Sequence, residues 1–352
     1  MDVTTATALG GRGLPGTPLR IGVIGVGRIG RMHAELLDRR VAGAALAAVC
    51  DASVDSARAV GAELGVAAAE SVAELLAGDV DAVAICTSTG THADLMVAAA
   101  RAGKAIFCEK PVSLDLAEVD RALAEVDGAG VPFQIGFNRR FDPAHQSVRD
   151  AVAAGTVGEP HLLRISSRDP APPPIEYVRA SGGMFLDMTI HDFDMARFVT
   201  GSEVTEVFAR GAVRIDPAFG DAGDVDTAVV TLVHESGCLT TIDNSRQAVY
   251  GFDQRVEVHG SAGMAASVNP PSQPSIIQTA GGGRVPPLPR FFLERYLPSY
   301  IREWEAFVEA VAFGRTPPVT TKDARAPLVI GLAAWRSLRE QRPVQVAEVD
   351  AR

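Results

Sequence analysis

A short apolar strand, Arg20-Ile21-Gly22-Val23-Ile24, runs straight into Gly25-Val26-Gly27-Arg28-Ile29-Gly30, and no other stretch constrains the fold as tightly. The glycines are spaced as in a strand–turn–helix unit that cradles a pyrophosphate. The first makes the tight turn, the second brings bare backbone to the phosphates, and the third lets helix pack on strand. A second apolar strand, Ala45-Leu46-Ala47-Ala48-Val49-Cys50, ends at Asp51, about 20 residues past the last glycine. An acid there accepts hydrogen bonds from the adenosine ribose. It would repel a 2′-phosphate, and Ala52 and Ser53 supply no cation to offset it. The expected cofactor is therefore NAD in preference to NADP.

Up to Phe137 the pattern continues as apolar runs separated by amphipathic helices: Ala82–Cys86, Ala105–Cys108 and Phe133–Phe137. Continuous apolar strands of this kind form a parallel sheet covered on both faces, with ligands beyond the carboxyl ends of the strands. That rule places Thr87, Glu109-Lys110-Pro111 and Asn138-Arg139-Arg140 on one rim with the glycine loop. Beyond Phe141 the character changes. A helix over 143–154, a strand over 161–167 and a Pro-rich bend, Asp169–Pro174, lead to a helix from about Gly183. From Val204 to Val268 the chain alternates as a mostly antiparallel sheet, residues 269–290 read as a long loop, and helices at 294–313 and 322–341 finish it.

The fold class expected is α/β in the N-terminal domain, a doubly wound Rossmann sheet, followed by a C-terminal α+β domain with a large, open, mostly antiparallel sheet. Residues 1–18 read as a disordered tail and 19–138 as the dinucleotide-binding domain. Residues 139–352 read as a substrate-binding and oligomerisation domain whose last helix packs back on the first. A net charge of −10 and no basic stripe argue against nucleic-acid binding, and no run of 18 apolar residues suggests a membrane span. Four cysteines without CxxC spacing fit reduced thiols in a cytoplasmic enzyme.

Two groups of residues could carry chemistry. Lys110, stiffened by Pro111, could stabilise negative charge on a substrate oxygen, or be a surface lysine at a strand end. Asp187 and His191 fall four apart on a helix expected from Met184 to Val199, so the carboxylate could orient the imidazole as a general base. The same spacing also suits a purely structural contact. A metal site would draw on Asp187, His191, Asp192 and Asp194, but the last two splay to other faces, and no metal is expected. Arg139 and Arg140 suit either a ligand contact or a structural ion pair.

The glycine fingerprint, Glu109-Lys110-Pro111 and the Gly182-Gly183-x₃-Asp187-x₃-His191 segment together resemble the glucose–fructose oxidoreductase/inositol dehydrogenase/rhizopine catabolism (Gfo/Idh/MocA) family. The resemblance runs from about Leu19 to the final helix, and within the family it is greatest to inositol 2-dehydrogenases. It implies NAD-dependent oxidation of an axial hydroxyl of myo-inositol to scyllo-inosose, with Lys110, Asp187 and His191 as the catalytic set. It further implies cofactor contacts from Gly25, Gly27, Arg28, Ile29, Gly30, Asp51, Thr87, His92 and Glu109. Arg140 and Tyr250 would join the catalytic set at a polyol or sugar substrate, in a homo-oligomer that relatives build as a tetramer. Phe252 stands where many relatives carry a second tyrosine, and Asp169–Pro174 replaces a polar substrate loop of some of them. Another sugar or cyclitol dehydrogenase, or a non-catalytic dinucleotide sensor, is the alternative.

Overall fold

The computed structural model describes residues 16–273 and 275–350, so most of the expected tail lies outside the described residues. The chain forms two compact units. One comprises Met1–Gly136 and Ile301–Arg325, the other Phe137–Tyr300 and Ala326–Arg352.

The first unit is built on six parallel strands: β1 (Leu19–Ile24), β2 (Ala44–Cys50), β3 (Ala67–Ala69), β4 (Ala82–Ile85), β5 (Ala105–Glu109) and β6 (Phe133–Gly136). Their order, β3-β2-β1-β4-β5-β6, is the doubly wound order of the Rossmann fold. Helices α1 (Arg28–Arg39), α2 (Val54–Leu64), α3 (Val72–Ala77), α4 (His92–Arg101) and α5 (Leu116–Ala129) make the crossovers. Val23, Ala82–Ile85 and Ile106–Cys108 are fully buried, as strands covered on both faces must be. The sequence pattern had no signal for β3: three alanines have little strand preference. Asp115 caps α5 by accepting from the Ala117 and Glu118 N–H groups. Trp304 and Phe307 from the later segment are fully buried in this unit, and Trp304 stacks on Phe107 at 4.2 Å between ring centroids. Burying such rings contributes about 1.5–3 kcal/mol each.

The second unit carries β7 (Pro160–Arg168), β8 (Val204–Ala212), β9 (Thr227–His234), β10 (Leu239–Ser245), β11 (Asp253–Gly260) and β12 (Gly263–Ala266). With the terminal β15 (Val344–Gln345) they form one sheet, β12-β11-β7-β10-β9-β8-β15. All its pairings are antiparallel except β7 with β10. One face of the sheet meets α6 (Pro143–Ala153) and α8 (Ile190–Thr200) in a core with Leu163, Ile165, Phe185, Phe193, Val230 and Ile242. Short helices α7 (Ile175–Ser181) and α9 (Pro217–Asp221) lie outside the sequence expectation. The expected loop at 269–290 contains a small hairpin, β13 (Ile277–Thr279) with β14 (Gly282–Arg284). Helices α10 (Phe292–Ala312) and α11 (Thr321–Glu340) each pass from one unit to the other, and α12 (Ala347–Asp350) ends the described chain. Among the described residues no helix is long and apolar enough to cross a membrane.

Candidate active site

In the first unit the carboxyl ends of β1, β2, β4 and β5 present Gly25, Asp51, Thr87 and Glu109 along one edge of the sheet. Gly25 has φ +89°, and a Cβ there would lie 2.8 Å from the Thr87 nitrogen. At Gly30 a Cβ would sit 1.8 Å from the Gly25 carbonyl oxygen, so only glycine lets α1 come this close to the loop. Gly27 is different: a Cβ would meet nothing within 4 Å. It is the N-cap of α1 and brings no side chain to that position, leaving open space at the positive end of a helix dipole. Bare N–H groups facing open space fit a pyrophosphate. Arg28 and Ile29 begin the helix at that end, Arg28 exposed and Ile29 half-buried.

Asp51 ties this loop to β2. Its Oδ2 accepts the Val26 N–H at 2.8 Å and its Oδ1 the Ser53 N–H at 2.9 Å. The carboxylate is half-buried, and each oxygen has a second lone pair for a ribose hydroxyl.

His92, expected as a contact to the dinucleotide, opens α4 behind the loop that carries Thr87. It is buried, with Nδ1 2.8 Å from the Pro111 carbonyl and Nε2 3.0 Å from the Thr87 carbonyl. The ring bridges the loops after β4 and β5, and burial lowers its pKa. Thr87 itself is half-buried, its hydroxyl 2.7 Å from that of Thr91. Glu109 and Lys110 are both partly exposed, and the Lys110 N–H donates to the Glu109 carboxylate at 3.3 Å.

In the second unit the expected single helix from Met184 is corrected. Met184–Met188 forms a π-turn, closed by the Thr189 N–H on the Met184 carbonyl at 2.8 Å, and α8 begins only at Ile190. Asp187 and His191 thus flank a junction rather than lying along one α-helical face. π-turns of this kind are frequent at functional sites. Gly183, at φ +71°, opens the turn; a Cβ there would sit 2.8 Å from the Asp224 carboxylate, whose Oδ1 accepts the Met184 N–H at 3.0 Å. Asp187 is buried. Its Oδ1 accepts from the Tyr177 hydroxyl at 2.9 Å, and its Oδ2 faces Nη2 of Arg246 at 3.3 Å. His191 is half-buried, edge-on to Phe137 at 6.0 Å. Neither Tyr177 nor Arg246 stood out in the sequence, because an isolated tyrosine and an isolated arginine carry no spacing signal.

Arg140 lies in a short turn after Phe137, where its guanidinium makes two parallel bonds, 2.8 and 2.6 Å, to Asp194. The pair commits two of its N–H groups inside the protein. Arg139 likewise donates to Asp192 at 2.8 Å, and Asn244 Nδ2 holds the second Asp192 oxygen at 2.8 Å. Burial pushes the Asp192 carboxyl up to about 6, against the pull of Arg139. Tyr250 is about half exposed; its hydroxyl accepts from Arg168 at 2.9 Å and donates to Asp253 at 2.7 Å. Phe252 is buried, edge-on to Tyr296. Among the described residues, no group of three or more His, Cys, Asp or Glu side chains is arranged to hold a metal ion.

A doubly wound sheet with a glycine loop, an acid at the end of the second strand and an open helix N-terminus defines a dinucleotide-binding domain. The comparisons agree. Residues 19–137 match the oxidoreductase family with an NAD-binding Rossmann fold, and residues 145–266 match the GFO/IDH/MocA C-terminal domain. The myo-inositol 2-dehydrogenase of Thermotoga maritima is 50% identical, over 94% of this chain and 99% of that protein. The inositol 2-dehydrogenase of Rhizobium meliloti is 46% identical, over 94% and 99%. Among solved structures, the scyllo-inositol dehydrogenase of Lactobacillus casei with bound NAD(H) and scyllo-inositol aligns with TM-score 0.87 at 30% identity, over 94% of this chain and all of that one. The chain belongs to the Gfo/Idh/MocA family. It is an NAD-dependent dehydrogenase.

Proposed function

We propose that the chain oxidises the axial hydroxyl of myo-inositol to a ketone, giving scyllo-inosose. Its support is a carboxylate, Asp187, clamped within a π-turn by Tyr177 and Arg246, with the half-buried His191 at the start of the helix that follows, in a chain half identical to a myo-inositol 2-dehydrogenase. In this reading His191 takes the hydroxyl proton and Asp187 stabilises the resulting imidazolium. Lys110 donates a hydrogen bond to the substrate oxygen as charge builds on it. The C–H bond breaks as the C=O bond forms, and the nicotinamide, when bound, accepts the hydride. Arg140 and Tyr250 help hold the polyol.

On the cofactor side Gly25, Gly27, Arg28, Ile29 and Gly30 receive the pyrophosphate. Asp51 takes the adenosine ribose, and Thr87, His92 and Glu109 make further contacts to the dinucleotide, His92 also bridging the loops after β4 and β5.

We also place the enzyme in the cytoplasm as a homo-oligomer, a tetramer by its family. The outer face of the second unit's sheet supports the oligomer, since Leu162, Val229 and Leu239 are each about half exposed there and alternate with core residues.

The test is a panel of myo-inositol, scyllo-inositol, other inositols and hexoses assayed for NADH formation, with the product identified by NMR. myo-Inositol should give the highest kcat/KM and a ketone at the axial carbon. A clear preference for scyllo-inositol or a hexose moves the substrate assignment within the family, and no NADH from any polyol ends the proposal.

A further inference from the structure

His33 lies on α1, one turn beyond Gly30, and is fully buried. Its Nδ1 is 2.8 Å from the indole Nε1 of Trp304, and its Nε2 is 2.8 Å from Oε1 of Glu109. An indole N–H can only donate. Nδ1 must therefore be the acceptor, which leaves the ring hydrogen on Nε2, pointed at the Glu109 carboxylate. Trp304 thus selects the tautomer, and the tautomer makes His33 a donor to Glu109. The indole is itself fixed, stacked on Phe107 at 4.2 Å, and Phe107 also lies edge-on to His33 at 5.4 Å.

The carboxylate is confined on its other sides. Its Oε2 faces the Lys110 N–H at 3.3 Å. Its carbon and both oxygens lie 3.3 Å from where a Cβ would stand on Gly136. A side chain at position 136 would press on the acid, whereas the hydrogen atom there leaves it room in one orientation.

We propose that His33 is a positioning residue for the cofactor side of the site. Locked by Trp304 as the Nε2–H tautomer, it holds the Glu109 carboxylate, and with it the backbone N–H of Lys110, in the one orientation that receives the dinucleotide. The lock links the helix that opens at the phosphate loop to the acid at the end of β5, so the two ends of the cofactor site are set together before anything binds. The proposal rests on the reading of Glu109 as a dinucleotide contact.

The tautomer is read directly from the ¹⁵N shifts of the His33 ring in the full-length protein without cofactor, and a single Nε2–H form is expected. Trp304→Phe keeps an aromatic ring on Phe107 but removes the donor, and the ring should then show both tautomers. The Kd for NAD, measured by calorimetry, should rise about tenfold in Trp304→Phe and in His33→Asn, the scale of one hydrogen bond to a charged group. His33→Gln, whose amide nitrogen can take the Nε2 position, should recover most of that loss. Glu109→Gln separates the two layers. If that variant binds NAD like the wild type, the reading of Glu109 fails and takes the proposal with it. If it weakens binding while Trp304→Phe and His33→Asn leave Kd unchanged, the reading of Glu109 stands and the role of His33 is overturned. An Nδ1–H ring in the wild type overturns the lock without any variant.

Discussion

Arg246 holds the Asp187 carboxylate from the far end of β10: its Nη2 is 3.3 Å from Asp187 Oδ2, and its Nη1 is 3.3 Å from Asp169 Oδ2. The guanidinium is almost fully buried, which opposes its charge, yet its pKa is raised because Asp187, Asp169 and Asp224 surround it. Removing it strands buried carboxylates. Arg246→Met should lower stability by about 3–5 kcal/mol, the usual cost of breaking a buried pair from one side. Where the variant still folds, its kcat should fall, because the carboxylate proposed to stabilise the imidazolium loses its clamp. Arg246→Lys should restore much of both. A denaturation curve and steady-state kinetics for the two variants check this, and an unchanged kcat in Arg246→Met would show that Arg246 only packs.

Two glycines of one motif should differ in what their replacement does to the fold. Gly27→Ala places a methyl in open space and should leave the thermal midpoint within error while weakening NAD at the phosphate cradle. Gly30→Ala drives a methyl to within 1.8 Å of the Gly25 carbonyl, so fold stability and NAD binding should fall together. Melting curves with NAD titrations distinguish the two, and equal destabilisation would refute the distinction.

Asp51 ties down the loop and carries the proposed discrimination between cofactors. Asp51→Ala should narrow the NAD-over-NADP ratio of kcat/KM by removing the charge that repels a 2′-phosphate. It should also cost about 1–3 kcal/mol of stability, since the Val26 and Ser53 N–H groups lose their acceptor. Steady-state kinetics with both cofactors measures the ratio. No change in it would mean that discrimination lies elsewhere.

His145 gives the second unit a pH dependence of known sign. Burial lowers its pKa to about 3; Asp142 opposes the shift, while Arg295 and Arg139 reinforce it. The unfolded chain, with a histidine near its ordinary 6.5, binds the proton more readily, so stability is lost as pH falls below that value. The slope contributed reaches about 1.4 kcal/mol per pH unit between the two pKa values. His145→Gln should flatten that part of the stability–pH curve; an identical slope in the variant would contradict the assignment.

The glycine loop and Asp51 were legible because the chemistry that needs them sits in contiguous residues at fixed spacing. The strands around them were legible for the same reason, except β3, whose three alanines look like any small-residue turn. The site in the second unit was harder to read. A 3.6-residue period assumes an unbroken α-helix, and a π-turn such as Met184–Met188 leaves no mark on that pattern. The partners of this turn come from distant sequence: Asp224 caps it, Arg246 and Tyr177 clamp its carboxylate. No local rule ties those positions together. The same holds for Trp304 and His33, which lie 271 residues apart. The hairpin within 269–290 was read as loop because that stretch is rich in Pro, Gly and Ser, although Gly281-Gly282-Gly283 make its turn and return strand.

The most direct test combines substrate turnover with cofactor binding in a single variant. Wild-type protein given NAD and myo-inositol should produce NADH, and His191→Ala should lose turnover by about 10²–10⁴-fold, the usual contribution of a general base. Its NAD affinity should stay within a factor of about two, because the dinucleotide is held by the other unit. Undiminished turnover in His191→Ala would contradict the assignment of His191 as the base on which this account rests.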